Sequence, residues 1–170
     1  MKYIIAAVSF LLFINSEIAQ ELKINSAKSL IEFNHLEEQT IGTIKGVSGK
    51  INFDVTNLSN SFFEARVDIS SIKTSNATRD KHLNAPNYFH SEKYPEIIFK
   101  SDSLYSLDNK FRLKGKLTIK EITQAEEIQF SYNDGVFNGT CIIYSNDYKI
   151  HKRKTREDSK ILIKITVPIL

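Results

Sequence analysis

The sequence predicts an all-β protein, a closed antiparallel barrel of about eight strands. Apolar and polar residues alternate with a period of two along most of the chain, and the predicted strands are joined mainly by short turns. Several predicted strands also contain a glycine, which marks the bends that barrel closure demands. These glycines are Gly42, Gly46, Gly49, Gly115 and Gly139.

Three strands are predicted in the first half of the chain, over residues 29–36, 40–55 and 63–69. Their apolar side chains fall at alternate positions, which places them on the face that points into the barrel. The inward residues that we select here as candidates for lining a ligand tunnel are Phe33, Phe53, Phe63, Ala65 and Val67.

The alternation stops between the third and fourth strands, over residues 73–93. We interpret this stretch as a long loop with a short helix, and connections of this length in compact domains are often functional. We expect Arg79, Asp80 and His82 to organise the loop and the mouth of the barrel without catalysing a reaction. We also expect Arg79 and Asp80 to pair with each other.

Five further strands are predicted over residues 97–101, 111–119, 128–132, 137–143 and 161–169. Pro95 precedes the first of them. At this position its missing backbone N–H removes no hydrogen bond between neighbouring strands. Asp134 and Gly135 predict a hairpin turn, because this pair tolerates the positive φ angles that such turns require. The inward candidates on these strands are Phe99, Leu113, Phe130, Phe137, Gly139 and Ile163.

The N-terminus has the layout of a signal peptide. Lys2 precedes an apolar run over residues 3–14, which is shorter than the roughly 20 residues needed to cross a bilayer. We expect cleavage after Ala19, so that residues 1–19 are a leader and residues 20–170 form one exported domain. No later apolar stretch of the sequence is long enough to predict a transmembrane segment.

Composition and motif content argue against several classes of function. The formal net charge of +3 is too small to indicate nucleic-acid binding. Cys141 is the only cysteine, which excludes an internal disulfide and a Cys-rich metal site. His82 and His90 match no metal-ligand spacing, and the sequence contains no phosphate-binding glycine loop. We therefore expect no metal, no cofactor and no catalytic residue.

A basic run over residues 149–156 lies between the last two predicted strands. A charge run of this kind is most often a solvated loop. The alternative is a site that attracts an anionic head group such as a pyrophosphate.

Six segments carry a resemblance to a known family. They are Ser-Gly-Lys-Ile-Asn-Phe-Asp at 48–54, Val-Asp-Ile-Ser-Ser-Ile-Lys-Thr at 67–74, Arg-Asp-Lys-His-Leu at 79–83, Asn-Tyr-Phe at 87–89, Tyr-Pro-Glu-Ile-Ile-Phe-Lys-Ser at 94–101 and Lys-Gly-Lys-Leu-Thr-Ile-Lys at 114–120. These segments resemble motifs of the YceI-like family of lipocalin-like, polyisoprenoid-binding proteins. The sequence departs from the family pattern at Glu121, where the family has glycine, and over 145–150, which lacks the family's arginine and glycine.

The resemblance implies a lipocalin-like barrel that carries a polyprenyl lipid or an isoprenoid quinone in an apolar tunnel, in the periplasm of a Gram-negative bacterium. Two alternatives remain open at this point. One is an enzyme acting on such a lipid, with His82, Asp80 or His90 as the acid or base. The other is a filled barrel that binds a protein partner.

Overall fold

The computed structural model describes residues 21–170, and the predicted signal peptide lies outside that range. These residues form an all-β fold with one α-helix. The elements in chain order are β1 (Glu21–Leu22), β2 (Leu30–His35), β3 (Thr40–Lys45), β4 (Ser48–Asn52), β5 (Phe62–Asp68), α1 (Ala77–Asn84), β6 (Glu96–Leu107), β7 (Lys110–Ile119), β8 (Ile122–Asn133), β9 (Val136–Tyr144) and β10 (Lys160–Pro168). Within residues 21–170, no helix has the length and apolar character needed to cross a membrane.

All ten strands belong to one antiparallel sheet, which curves into an open half-barrel. The strand order is β1-β4-β5-β6-β7-β8-β9-β10-β2-β3, so β1 and β3 are the two edges. The predicted all-β fold is confirmed. The sheet has ten strands where about eight were predicted, and the predicted closed barrel is not confirmed. Across the opening, Thr43 and Lys73 exchange two backbone hydrogen bonds of 2.8 and 2.9 Å.

The extra strands have identifiable causes. The predicted strand over residues 40–55 is two strands, β3 and β4, which lie on opposite sides of the opening. Gly46 separates them with a φ of +83°, a left-handed conformation that favours glycine and breaks the strand. Because β4 ends at Asn52, Val55 is exposed even though it continues the alternating pattern. The two-residue β1 is too short to produce a periodic signal.

Two local predictions are confirmed. The stretch after β5 contains helix α1, whose first turn is capped by Asn76, since its Oδ1 accepts a hydrogen bond of 3.0 Å from the backbone N–H of Arg79. Asp134 and Gly135 form the turn between β8 and β9 with φ angles of +50° and +74°. This turn fixes the register of the hairpin and therefore the inward direction of alternate side chains on β8 and β9.

The end of the half-barrel opposite α1 is filled by aromatic rings, which we name the aromatic base. Their centroids lie 4.3 to 6.1 Å apart, mostly in edge-to-face arrangements. The base consists of Phe53, Phe63, Phe111, Phe130, Tyr132 and Phe137. The sheet is thus packed at this end, and the space nearer α1 is available for a site.

Candidate functional site

An apolar cavity of about 230 Å³ lies inside the half-barrel, between the aromatic base and the loops at the α1 end. A dry cavity of about 150 Å³ holds one benzene, whereas drug-sized ligands occupy about 300 Å³ or more. The cavity therefore has room for a short apolar chain. Its walls are the inward faces of the strands, where alternation places aliphatic and aromatic side chains.

Ten of the eleven residues selected from the sequence line this cavity. They are Phe33, Phe63, Ala65, Val67, Phe99, Leu113, Phe130, Phe137, Gly139 and Ile163. Phe53 does not line it, because this residue follows the end of β4 and its ring packs into the aromatic base. Contact between these residues and a ligand stays a prediction.

Three loops meet over the cavity at the α1 end, which we name the mouth. The Tyr88 ring, from the loop after α1, stacks on the His151 ring with a centroid distance of 4.7 Å and an interplanar angle of 9°. Arg153 forms an ion pair with Glu38 from the turn between β2 and β3. All four side chains line the cavity, so polar groups surround its entrance while its walls are apolar.

The basic run of residues 149–156 divides into two groups at the mouth. His151 and Arg153 line the cavity, although His151 is also exposed at the surface. Lys149, Lys152 and Lys154 are exposed and do not line the cavity. This loop therefore faces both the cavity and the solvent. That it attracts an anionic head group stays a prediction.

His35 is the inward residue of β2 nearest the mouth. Burial and the positive charge of Arg153 lower the pKa of His35 from its ordinary value. The imidazole is therefore neutral at pH 7, and the backbone N–H of Glu38 donates a hydrogen bond of 3.4 Å to its Nδ1. The mouth thus offers His35 as a neutral polar group rather than as a second cation beside Arg153.

The expected pairing of Arg79 with Asp80 is wrong. Successive helical residues do not face each other, and here both side chains bind Thr74 instead. Asp80 Oδ1 accepts hydrogen bonds from the Thr74 backbone N–H at 2.8 Å and its hydroxyl at 2.7 Å. Arg79 donates to Thr74 Oγ1 at 3.0 Å and to Thr40 Oγ1 at 3.1 Å. These bonds join α1 to the segment after β5 and to β3.

The histidines of the long loop lie apart from the cavity. His82 does not line the cavity. It lines an adjoining cleft beside the mouth, which shares Glu38, Thr40 and Tyr88 with the cavity. The His90 ring packs against Tyr94 with a centroid distance of 5.7 Å. Among residues 21–170, no group of three or more His, Cys, Asp or Glu side chains is arranged to hold a metal ion.

Asp80→Ala should destabilise the fold by about 1–3 kcal/mol, because it leaves the buried N–H and hydroxyl of Thr74 without their acceptor. Asp80→Asn is the matched control, since its amide oxygen can still accept and the loss should be smaller. Urea unfolding of both variants measures the difference. An equal loss for the two variants would contradict this role for the carboxylate.

A polar pair that the sequence analysis missed lies in the cavity wall. Glu126 lies on the inward face of β8, and the hydroxyl of the fully buried Tyr148 donates a hydrogen bond of 2.7 Å to its Oε1. Burial raises the pKa of Glu126, while the hydrogen bond from Tyr148 opposes that shift. Alternation could have placed Glu126 inward, because it lies two and four residues before the inward Ile128 and Phe130.

Cys141 also lines the cavity, and burial raises the pKa of its thiol to about 12. The reactive thiolate should therefore be nearly absent at pH 8. We expect native protein to resist iodoacetamide at pH 8, whereas urea-unfolded protein should be labelled completely, as measured by intact mass. Rapid labelling of the native protein would show that the cavity wall opens to solvent at this position.

The curved sheet and its cavity place this protein in the class of barrel-like β-sheet proteins that enclose an apolar cavity. The model of the YceI-like domain matches residues 22–169, so the chain belongs to the YceI-like family. A UPF0312 protein of Photorhabdus laumondii is 36% identical over 83 residues, which are 49% of this chain. The match spans 43% of that relative, less than half of its length.

Several solved structures share the fold, among them the following two. Burkholderia cenocepacia BcnA aligns with a TM-score of 0.75 and 19% identity, over 85% of this chain and 98% of its own. A polyisoprenoid binding domain from Saccharophagus degradans, implicated in plant cell wall breakdown, aligns with a TM-score of 0.62 and 8% identity, over 88% of this chain and 97% of its own. At these identities the likeness concerns the fold alone.

Proposed function

We propose that this protein binds a polyisoprenoid lipid or an isoprenoid quinone in the apolar cavity, without catalysing a reaction. The observation that carries the proposal is an apolar cavity of about 230 Å³ with polar groups gathered at its mouth. Such a site suits a molecule with an apolar chain and one polar end. The polyisoprenoid binding domain with the same fold supports the choice of an isoprenoid.

The energetics favour this use of the cavity. Each buried CH₂ gains about 0.8 kcal/mol, so an isoprene unit of five carbons gains roughly 4 kcal/mol on leaving water. The aromatic base closes one end of the cavity, which directs an apolar tail towards it and the polar end towards the mouth. Only the tail end of a long polyprenyl chain would be enclosed in this volume.

We place the protein in the periplasm of a Gram-negative bacterium or outside the cell. This location rests on the N-terminal sequence, whose layout is that of a signal peptide. Sequencing the N-terminus of protein purified from its native host tests it, and the expected first residue is Gln20. An intact chain beginning at Met1 in the cytoplasm would contradict it.

A binding experiment with a defined isoprenoid tests the proposed function. Delipidated protein should bind tritiated farnesol saturably with a stoichiometry near one, as measured by gel filtration, and the farnesol should be recovered chemically unchanged. His82→Ala should bind equally well, because His82 is not among the residues that line the cavity. Absence of saturable binding would overturn the proposal, and conversion of the farnesol by the wild-type protein would favour an enzyme.

A further inference from the structure

The cavity wall contains one carboxyl group at mid-depth, that of Glu126. On β8 this residue lies four positions after Ile122, at the mouth end of the strand, and four before Phe130 of the aromatic base. At about 3.3 Å per residue, each separation is about 13 Å. A carboxyl at this depth is unusual, because a buried charge is costly unless it is paired or hydrogen-bonded.

The residues around Glu126 provide a hydrogen-bond donor for only one of its two carboxylate oxygens. Pairing between β8 and β9 ends at Gln129 and Thr140, so the two strands separate beside Glu126. The turn over residues 145–148 fills this gap, and its Tyr148 donates to Oε1 at 2.7 Å. Among the described residues, Oε2 has no hydrogen-bond partner, and Glu126 lines the cavity.

We propose that Glu126 Oε2 is a hydrogen-bonding site for the hydroxyl group of the bound lipid, so that the cavity selects an isoprenoid alcohol. This inference rests on the proposed function and narrows its ligand class. The apolar tail would lie between Glu126 and the aromatic base. The polar end of the alcohol would still point towards the mouth, but its hydroxyl would stop at mid-depth, beside Glu126.

The chemistry of the carboxyl favours a hydroxyl over other polar ends. A hydroxyl donates to an ionised carboxylate and accepts from a protonated carboxyl, so it is compatible with either state of Glu126. A phosphate ester would place a negative charge beside Glu126 and repel its ionised carboxylate. Arg156, whose positive charge acts on Glu126, already pairs with Asp147 at 2.7 Å. A quinone carbonyl could bind only the protonated form.

Farnesol, farnesene and farnesyl phosphate have the same fifteen-carbon skeleton but end in a hydroxyl, in no polar group and in a phosphate. Their affinities therefore show which polar end the site prefers. Wild-type protein should bind farnesol about tenfold more tightly than the hydrocarbon farnesene, the size of effect expected for one hydrogen bond to a charged group. Farnesyl phosphate should bind more weakly than farnesol. Displacement of a fluorescent apolar probe from delipidated protein measures all three affinities.

Substitutions of Glu126 test the assignment directly. Glu126→Leu should abolish the preference for farnesol over farnesene while retaining farnesene binding. Glu126→Gln has the same shape and can still donate and accept, so it should keep the preference for the alcohol and bind farnesyl phosphate more tightly than wild type does.

The matched control is Glu127→Leu. Glu127 is adjacent in sequence but forms its bonds outside the cavity, with the Tyr105 hydroxyl at 2.9 Å and Arg112 at 3.3 Å. The Glu127→Leu variant should keep the wild-type order of affinity for farnesol, farnesene and farnesyl phosphate. If Glu126→Leu does not fold, the change in farnesyl phosphate affinity of Glu126→Gln decides the outcome.

Two results would count against the proposal, and they are distinguishable. If wild-type protein binds farnesol and farnesene equally, and the Glu126 variants do not alter their ratio, the hydroxyl site is wrong and the proposed function stands. If wild-type protein binds none of the three ligands, the proposed function itself is wrong.

Discussion

Ala65→Phe is expected to abolish lipid binding while the protein remains folded. Ala65 faces the cavity from β5 and lies opposite Phe99 on β6. The added ring is about the size of benzene, which fills a cavity of about 150 Å³, so it would occupy most of the 230 Å³ available. Because the ring enters an empty space, the melting temperature of the lipid-free protein should change little. Lipid content after purification and thermal unfolding measure the two effects.

The matched control for this substitution is Ala125→Phe. Ala125 is exposed on the outer face of β8, so the same change there should leave lipid binding intact. A filled barrel would respond to Ala65→Phe with overpacking, which costs about 1–3 kcal/mol. A clear fall in the melting temperature, or an unchanged lipid content in the variant, would contradict the account of a hollow barrel.

Phe63→Ala is expected to destabilise the protein by about 3–5 kcal/mol. Phe63 is 8% exposed, and its ring lies 5.5 Å from those of Phe130 and Phe137 in the aromatic base. Removing it leaves a void at the end of the half-barrel that we describe as packed. Urea unfolding of delipidated protein measures the loss, since a bound ligand would add stability of its own.

The adjacent residue provides the control. Phe62 lies on the outer face of the same strand and is 43% exposed, so Phe62→Ala should cost less than about 1 kcal/mol. Similar losses for the two variants would mean that the aromatic base is not packed as described.

Period-two alternation predicted the fold well where a strand is long and its inner face is buried. On β5, the inward positions Phe63, Ala65 and Val67 all line the cavity, because one buried face imposes the pattern along the whole strand. The same rule fails at Val55, which is exposed because the hydrogen-bonded strand has ended at Asn52. Phe53 is still inward, but its ring packs into the aromatic base and not into the cavity wall. A strand ends where its hydrogen bonds to a distant segment end. The alternation of apolar residues along one segment contains no information about that pairing.

The polar groups of the cavity were harder to predict. Glu126 was missed because an inward position was assumed to be apolar, and its partner Tyr148 comes from a turn that no strand pattern describes. The mouth depends on contacts between loops distant in sequence, such as Tyr88 with His151. The predicted mouth residues Arg79 and Asp80 bind Thr74, because the geometry of α1 directs them to the segment after β5.

Native mass spectrometry of the protein purified from its own host tests the central claim most directly. Ionised without prior extraction, the folded protein should carry an adduct in one-to-one ratio. Extraction with organic solvent should remove the adduct, and fragmentation should identify it as an isoprenoid. A wild-type protein that has the bare mass of its polypeptide, and that takes up no isoprenoid when one is added, would contradict the claim that the cavity is a lipid site.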